Sequence, residues 1–444
     1  MSTKFPFPSL MTKRAGRALF SSTETWTLLA IALVLFYRFP HRLLTPQLWA
    51  EDGTIFLMGQ RELGVTSLWV PYAGYLHLIL RILALAMGTV APLLLIPATY
   101  NIVTFLGTLL VGLFILRCRI ELPYKPLWAF TLVFIPHPYE VYLTLTNLQW
   151  IFAAVLPLFL MQSPAPTRMG RIGEAFALLF LGLTGPFLVL FSPLVAYRVW
   201  RDGVRSRASI AFGMAALLAI SVQSYFIVTF APGSPPVQTA LHWLMTSGPI
   251  LFAGLFVGKT LPHLLLGENI AVTMQHWENT VPKTVLLLLG VSASIAALTA
   301  VILVLRGVWQ LPKAQRALGL ALIFCAAALF ASVMRRGLSD PQPLGPFSGG
   351  SRYAYIPYLH LTWTFLLITQ SPGMAANLGR FCLLLVGCST LSTIGPPAPG
   401  TQDRQWAKYI RRYEQGETVD VPFPPDGLSG MSWRVRLVPP VPSR

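Results

Sequence analysis

The sequence predicts an all-α fold, a polytopic bundle of transmembrane helices. Of its 444 residues, 54% are hydrophobic and only 11% are charged, and the mean hydropathy is +0.62. A soluble domain carries about 25% charged residues, so this chain has too few charges to cover even one domain of its length. Several apolar blocks also reach the ~17–25 residues that cross a bilayer. Soluble enzymes, fibrous proteins and disordered chains are therefore excluded.

The apolar blocks predict about 10 to 13 spans. They lie at 19–39, 74–91, 92–116, 126–136, 145–161, 173–199, 208–230, 245–265, 283–306, 317–334, 353–370 and 379–395. The first block follows a basic start, but no small-residue cleavage site follows Tyr37. It is therefore interpreted as an uncleaved span and not as a signal peptide.

The middle blocks are short or interrupted. Those at 126–136 and 145–161 are too short to cross comfortably, and the block at 173–199 is interrupted at Gly182-Leu183-Thr184-Gly185-Pro186. Pro186 lacks a backbone donor, and broken helices persist at membrane depth only where protein or a water-filled cavity satisfies the freed backbone groups. The pattern predicts a polar cavity inside the bundle, with plain kinks as the alternative.

The distribution of Lys and Arg predicts the orientation. The first 20 residues contain Lys4, Lys13, Arg14 and Arg17 but no acid. By the positive-inside rule the N-terminus is cytoplasmic and the loop at 40–73 is extracytoplasmic. Further basic loops, which then face the cytoplasm, lie at 162–172, 198–208 and 306–316. Arg117-Cys118-Arg119 obeys the rule only if 74–91 lies along the interface instead of crossing.

The net charge of +17 comes from basic clusters between apolar blocks. This distribution argues against nucleic acid as a partner and suits membrane lipids or a phosphate-bearing lipid substrate. The cysteines form no CxxC pair and the histidines show no ligand spacing, so the sequence predicts no metal cluster. The four cysteines are Cys118, Cys325, Cys382 and Cys388.

Two regions are predicted. Residues 1–395 form the transmembrane domain, and residues 396–444 form a polar, Pro-rich extracytoplasmic tail. Because about 50 residues make only a marginal core, the tail is expected to be a small extended segment packed on the outer loops.

Glu51 and Asp52 form the most informative acidic pair. They follow the first span and are flanked by Trp49, Ile55 and Phe56, residue types that favour the membrane interface. Partial burial of one carboxylate beside another raises at least one pKa, as acid–base sites require. The alternative is structural, with Asp52 capping a short helix.

A second candidate pair is His77 and Arg81, which share one helix face at i and i+4. Such a pair near the membrane is costly and marks a polar site, and an Arg there can hold a phosphate bidentately. The alternative is interfacial anchoring by a snorkelling Arg.

The third candidate is Arg352, followed by Tyr353 and preceded by Ser348-Gly349-Gly350-Ser351 at the mouth of a late span. Exposed backbone N–H groups and a guanidinium suit a phosphate, and a flexible loop that enters a helix is the alternative. Asn147, Gln149 and Trp150 begin a short helix and are expected to hydrogen-bond and stack on a sugar, with a buried helix cap as the alternative.

These features resemble the GT-C class of integral-membrane glycosyltransferases, which use lipid-phosphate sugar donors on the non-cytoplasmic side. The likeness lies in a first span followed by adjacent acids, a helix that opens with His77, broken middle helices, and Arg352-Tyr353 entering a late span. Four short motifs look like those of uncharacterised bacterial members: Trp49-Ala50-Glu51-Asp52, Thr146-Asn147-Leu148-Gln149-Trp150, Leu183-Thr184-Gly185-Pro186 and Ser351-Arg352-Tyr353.

The resemblance implies a bacterial inner (plasma) membrane enzyme that moves a sugar from a polyprenyl-phosphate donor to a glycan, lipid or protein acceptor with inversion. It implies that one acid of the pair is the general base, with Asp52 preferred and Glu51 orienting a partner or holding a divalent metal ion. Arg352, Arg81 and Tyr353 are then the candidates for the donor phosphate. The substrate pocket is expected to contain Trp49, His77, Asn147, Gln149 and Trp150.

Two other classes fit part of the pattern. A transporter or flippase for a lipid-linked or anionic solute would also have broken helices around a basic cavity. It would need polar residues through the membrane depth and internal two-fold similarity, and the sequence shows neither. A non-catalytic membrane subunit of a polysaccharide export complex is the third class.

Overall fold

The computed structural model describes residues 20–137, 140–230, 260–267, 281–337, 351–394, 402–426 and 432–439. Its α-helices are, in chain order, α1 (Ser22–Arg38), α2 (Pro40–Leu44), α3 (Met58–Leu63), α4 (Leu78–Val90), α5 (Ile96–Arg117), α6 (Lys125–Thr131), α7 (Leu148–Ala154), α8 (Leu156–Met161), α9 (Arg168–Gly182), α10 (Phe187–Leu190), α11 (Ser192–Arg201), α12 (Arg207–Phe230), α13 (Leu261–Leu266), α14 (Lys283–Gln310), α15 (Lys313–Gly337), α16 (Arg352–Ile368), α17 (Met374–Thr393) and α18 (Trp406–Glu414). A π-helix covers Asp52–Leu57, 3₁₀-helices cover Gly64–Trp69 and Leu93–Leu95, and two strands follow, β1 (Val419–Asp426) and β2 (Ser432–Leu437).

The protein is a helical bundle with membrane-spanning helices, as the composition predicts. Among the described residues, five helices are long and apolar enough to cross a bilayer. They are Leu93–Arg117, Arg207–Phe230, Val291–Gln310, Lys313–Ser332 and Met374–Thr393. Helices α1 and α16 have 17 residues each, the lower end of the range for a span. The total number of spans stays a prediction, because most of the block at 245–265 lies outside the described residues.

The first helix begins with a capping box. Ser21 Oγ accepts from the Glu24 amide at 3.2 Å, and Glu24 Oε2 accepts from the Ser21 amide at 2.8 Å. Glu24 also forms an ion pair with Arg117 at the end of α5 (2.7 Å). The start of α1 and the end of α5 therefore lie at the same end of the bundle.

This end of the bundle, called the basic end below, collects the loops that the sequence marks as basic. Gln315 Nε2 donates to the Glu121 carbonyl at 3.1 Å, and Arg201 Nη2 donates to the Gln162 carbonyl at 2.8 Å. Helix α4 has 13 residues, about 20 Å at 1.5 Å per residue, which is short for a span. Arg117-Cys118-Arg119 thus lies at the same end of the bundle as the start of α1. This arrangement is the one expected if the segment at 74–91 lies along the interface and does not cross.

The predicted break in the block at 173–199 is present. Helix α9 ends at Gly182, and the chain beyond it pairs with the segment before α4: the Leu78 amide donates to the Leu183 carbonyl (3.0 Å) and the Gly185 amide donates to the Leu76 carbonyl (2.9 Å). Gln223 of α12 donates to the Leu76 and Gly185 carbonyls, both at 3.1 Å. Protein groups satisfy the freed backbone at this break, and a polar cavity in the bundle stays a prediction.

The tail differs from the extended segment that the sequence predicts, because it folds into α18 and an antiparallel β1–β2 hairpin. It does pack on the loop at 40–73, as expected. Arg61 of this loop donates to the Tyr413 hydroxyl at 2.8 Å, and the Ala50 amide donates to the Pro424 carbonyl at 2.7 Å. Outside the loop, just before α5, the Leu94 carbonyl accepts from the Trp406 indole at 3.1 Å. The tail therefore covers the end of the bundle opposite the basic end.

Candidate functional site

The acidic pair lies where the backbone departs from ordinary helical geometry. Asp52 opens the π-helix, and Ala50 before it has a positive φ of 37°. The Ala50 amide donates to the Pro424 carbonyl of the tail at 2.7 Å. π-helical turns are often found at functional sites. Both carboxylates are buried, with Glu51 5% and Asp52 1% exposed.

Asp52 is held by the backbone. Its Oδ1 accepts from the Thr146 amide at 2.7 Å and its Oδ2 from the Leu145 amide at 3.2 Å. Burial raises the pKa of Asp52 to about 7, against the opposing effect of these two hydrogen bonds. Asp52 fastens the loop before α7 to the π-helix, a structural role close to the capping alternative.

This pKa predicts a pH-dependent stability. The folded pKa lies above the ordinary value of 3.8, so the folded state binds the proton more tightly. The contribution to stability is complete below about pH 4 and is lost as pH rises through 7, at up to about 1.4 kcal/mol per pH unit. We therefore expect the unfolding free energy of wild type, minus that of Asp52→Asn, to fall as the pH rises from 4 to 8. A pH-independent difference would contradict the assignment.

The two oxygens of Glu51 differ in their partners. The Tyr72 hydroxyl donates to Oε1 at 3.0 Å, whereas the buried Oε2 has no hydrogen-bond partner in the described part of the chain. Burial, and next the charge of Glu51, raise the pKa of Tyr72, so Tyr72 remains a donor. Glu51 is thus better placed than Asp52 to accept a proton from a ligand.

His77 is positioned by the helix break. It forms a β-bridge with Thr184, and its Nδ1 lies 3.2 Å from the Tyr75 carbonyl. Its ring stacks on Tyr75 (centroids 4.7 Å apart) and lies 5.7 Å from the ring of Tyr72. Burial and the nearby Arg81 lower the pKa of His77 to about 3, so the imidazole is neutral near pH 7.

Arg81 is engaged by the protein. Its guanidinium donates to the Ile55 carbonyl at 3.0 Å and to the Val70 carbonyl at 3.2 Å, and it lies over the ring of Phe56. Arg81 is 3% exposed. It fixes the far end of the π-helix, and the geometry favours this role over the phosphate contact that the sequence suggests.

Arg352 lies at the start of α16 and pairs with Glu140. Its Nη1 donates to Glu140 Oε1, and its amide donates to Glu140 Oε2 at 2.9 Å. The Ser351 hydroxyl donates to the same Oε2 at 2.7 Å. The Arg352 side chain remains 26% exposed, so Glu140 holds the guanidinium while part of the side chain stays accessible. The predicted glycine loop before it, at 348–350, lies outside the described residues.

Electrostatic interactions of Arg352 connect several of the residues that the sequence selected. Arg352 interacts electrostatically with Glu51, Tyr72 and His77. Its neighbour Tyr353 meets Trp150 edge to face, with ring centroids 5.3 Å apart. Glu51, His77, Trp150, Arg352 and Tyr353 therefore surround the same region.

Gln149 and Trp150 contribute further unsatisfied polar atoms. Three buried atoms here have no hydrogen-bond partner among the described residues: Gln149 Oε1, Trp150 Nε1 and Thr54 Oγ1. Gly185 has a φ of +85°, and a Cβ there would lie 2.7 Å from Gln149 Oε1. Any larger residue at this position would therefore displace the Gln149 amide. Buried polar atoms normally have partners, and these atoms present acceptors and a donor to a ligand.

Asn147 and Trp49 have structural contacts instead. Asn147 Nδ2 donates to the Glu140 carbonyl at 2.9 Å and to Thr144 Oγ1 at 3.1 Å. The guanidinium of Arg42 lies 4.7 Å above the ring of Trp49, so that face of the indole is covered. Their predicted pocket roles are not favoured by these contacts.

The tail reaches the acidic pair through Phe423. A Cβ at Gly53 would collide with the buried ring of Phe423. We therefore expect Gly53→Ala to weaken tail docking by about 1–3 kcal/mol, and Gly53→Ala/Phe423→Leu to recover part of the loss. Trypsin cleavage near Arg411 and Arg412 measures this docking, and equal cleavage of wild type and both variants would contradict it.

The donor set does not fit a divalent metal ion. No group of three or more His, Cys, Asp or Glu side chains within the described ranges is arranged to hold one. Both oxygens of Asp52 already accept backbone hydrogen bonds. The metal-holding role considered for Glu51 therefore has no supporting ligands in this part of the chain.

Three residues of the site were not selected from the sequence: Tyr72, Tyr75 and Glu140. Glu140 is one of only 16 acids and follows Pro136-His137, a segment that no lipid-facing helix would hold. That position could have indicated a buried partner for a basic residue. Tyr72 and Tyr75 carry no comparable signal.

Comparisons of this chain with protein-family models, with curated proteins and with solved structures find no match.

Proposed function

We propose that this protein is a GT-C-type membrane glycosyltransferase that transfers a sugar from a polyprenyl-phosphate donor to a hydroxyl acceptor. The observation that carries the proposal is the buried Glu51 carboxylate, one oxygen of which has no hydrogen-bond partner among the described residues, together with its electrostatic interaction with the partly exposed Arg352 guanidinium. A base and a cation for a phosphate are the minimal parts of this reaction.

In the proposed reaction, Glu51 Oε2 takes the proton from the acceptor hydroxyl. The acceptor oxygen then forms a bond to the anomeric carbon while the bond from that carbon to the phosphate oxygen breaks. The electron pair leaves on the lipid phosphate, where Arg352 stabilises the charge, and the configuration inverts. Gln149 and Trp150 offer an acceptor and a donor to sugar hydroxyls. We assign the base to Glu51 and not to Asp52, because both oxygens of Asp52 are occupied.

The proposal places the basic end in the cytoplasm and the site on the extracytoplasmic side of a bacterial inner membrane. The warrant is the excess of Lys and Arg in the loops at the basic end. Reporter fusions after residues 55 and 430 are expected to report an extracytoplasmic location. A cytoplasmic location of either fusion would contradict a site that binds its lipid-phosphate donor on the extracytoplasmic side.

Purification in mild detergent followed by mass spectrometry tests donor recognition. We expect polyprenyl phosphate or its glycosylated form to copurify with wild type and to be depleted at least tenfold in Arg352→Ala. Glu62→Ala, an exposed change in α3, is the control. Equal lipid in all three proteins would contradict the proposal. Movement of a lipid-linked sugar between leaflets without release of polyprenyl phosphate would favour the transporter alternative.

A further inference from the structure

A cavity of about 900 Å³ lies at the basic end, remote from the acidic pair. Its walls include Arg119 just after α5, Tyr197 and Trp200 of α11, and Lys313 at the start of α15. Lys313 opens one candidate span, and Arg119 follows two residues after another ends at Arg117. The cavity therefore lies at the level where the spans meet the aqueous phase.

The outer wall of the cavity is aromatic. The rings of Tyr197 and Trp200 are 5.9 Å apart, and Trp200 is 69% exposed. Trp and Tyr side chains are enriched at the headgroup level of membrane proteins, the level at which Lys313 and Arg119 place this cavity. This wall suits the glycerol and upper acyl region of a lipid better than a freely soluble anion.

The charges of the cavity favour an anion. Among its walls Arg119, Arg201 and Lys313 outnumber Glu121 and Asp202. Asp202 is already neutralised by Arg201 at 2.8 Å and by Arg198 at 3.4 Å.

Lys313 is the most available of these cations. Arg119 pairs with Glu174, and Arg201 donates to the Gln162 carbonyl as well as to Asp202. Lys313 is exposed, and its ammonium makes no ion pair or hydrogen bond with the described residues. It is therefore free to contact a phosphate.

We propose that this cavity binds the phosphodiester headgroup of an anionic phospholipid from the leaflet at the basic end, with Lys313 at the phosphate and Tyr197 and Trp200 against the glycerol. Basic pockets between transmembrane helices are known to hold such headgroups. The site is separate from the acidic pair and does not depend on the proposed transferase activity.

Native mass spectrometry of the delipidated full chain tests the proposal, with phosphatidylglycerol and phosphatidylcholine titrated separately. We expect tighter binding of phosphatidylglycerol and about a fivefold loss of its affinity in Lys313→Gln, the effect of one basic residue near a membrane surface. Arg306→Gln is the matched control, because Arg306 is exposed on α14 and does not line the cavity. We expect less than a twofold change there.

Three outcomes would overturn the proposal. Equal affinity for the two lipids, or the same loss in Lys313→Gln and Arg306→Gln, would show that no specific headgroup site exists. Free glycerol phosphate that competes as well as phosphatidylglycerol would identify a site for a soluble phosphate. A thermal unfolding midpoint equal to wild type confirms that each variant is folded before its affinity is compared.

Discussion

Replacing Glu51 with Gln is expected to slow sugar transfer by about 10²–10⁴-fold, the usual cost of losing a general base. The amide retains the shape of the side chain and still accepts a hydrogen bond from the Tyr72 hydroxyl, but it does not take a proton from an acceptor. The single-turnover rate with saturating donor measures the effect, because it isolates the chemical step from product release.

Two further variants make this result specific. Glu62→Gln removes an exposed carboxylate from α3 and is expected to leave the rate within twofold of wild type. Asp52→Asn is expected to change stability more than rate, because Asp52 bonds the backbone of Leu145 and Thr146. If Asp52→Asn lost activity while Glu51→Gln kept it, the base would be Asp52.

The second large effect is expected at Arg352. Arg352→Lys keeps the charge but loses the planar fork that can pair with Glu140 and a phosphate together. The loss of one charge-assisted hydrogen bond, about 1.5–3 kcal/mol, corresponds to roughly 10–150-fold in donor affinity. Titration with a polyprenyl-phosphate sugar, followed by native mass spectrometry, measures the change.

Arg434→Lys is the matched control for this substitution. Arg434 is exposed on β2, so the same exchange there is expected to leave donor affinity unchanged. Unchanged affinity in Arg352→Lys as well would remove Arg352 from the donor site. A thermal unfolding midpoint compared with wild type separates lost binding from loss of the Glu140 ion pair.

Much of the fold follows from apolar patterning. Within the described ranges the long apolar blocks contain helices, and the break at 182–186 follows from glycine and from a proline without a backbone donor. Arg117 shares the basic end with Glu24, as expected when a 13-residue α4 does not cross. The β1–β2 hairpin was missed because Pro422, Pro424 and Pro425 argue against a strand, although Val419, Val421 and Phe423 alternate as a buried face.

The site was predictable in its members more than in their roles. The sequence singled out Glu51 by its interfacial setting, His77 as a costly polar residue near the membrane, Trp150 as a sugar contact and Arg352 as a phosphate contact. In the fold, electrostatic and ring contacts connect these four residues, Trp150 through Tyr353. The partners of Asp52 and Arg81 are backbone amides and carbonyls. Such groups belong to every residue, so no sequence pattern marks them, and the roles of the two acids depended on the structure.

The most direct test of the proposed sugar transfer is release of polyprenyl phosphate by the reconstituted full chain. Proteoliposomes would receive a panel of polyprenyl-phosphate sugars together with a membrane extract as the source of acceptors, and mass spectrometry would follow the lipid. We expect wild type to convert at least one donor to polyprenyl phosphate with the sugar transferred in inverted configuration. We expect Glu51→Gln to bind this donor but to convert it at least 100-fold more slowly. Equal conversion by wild type and Glu51→Gln would contradict the proposal.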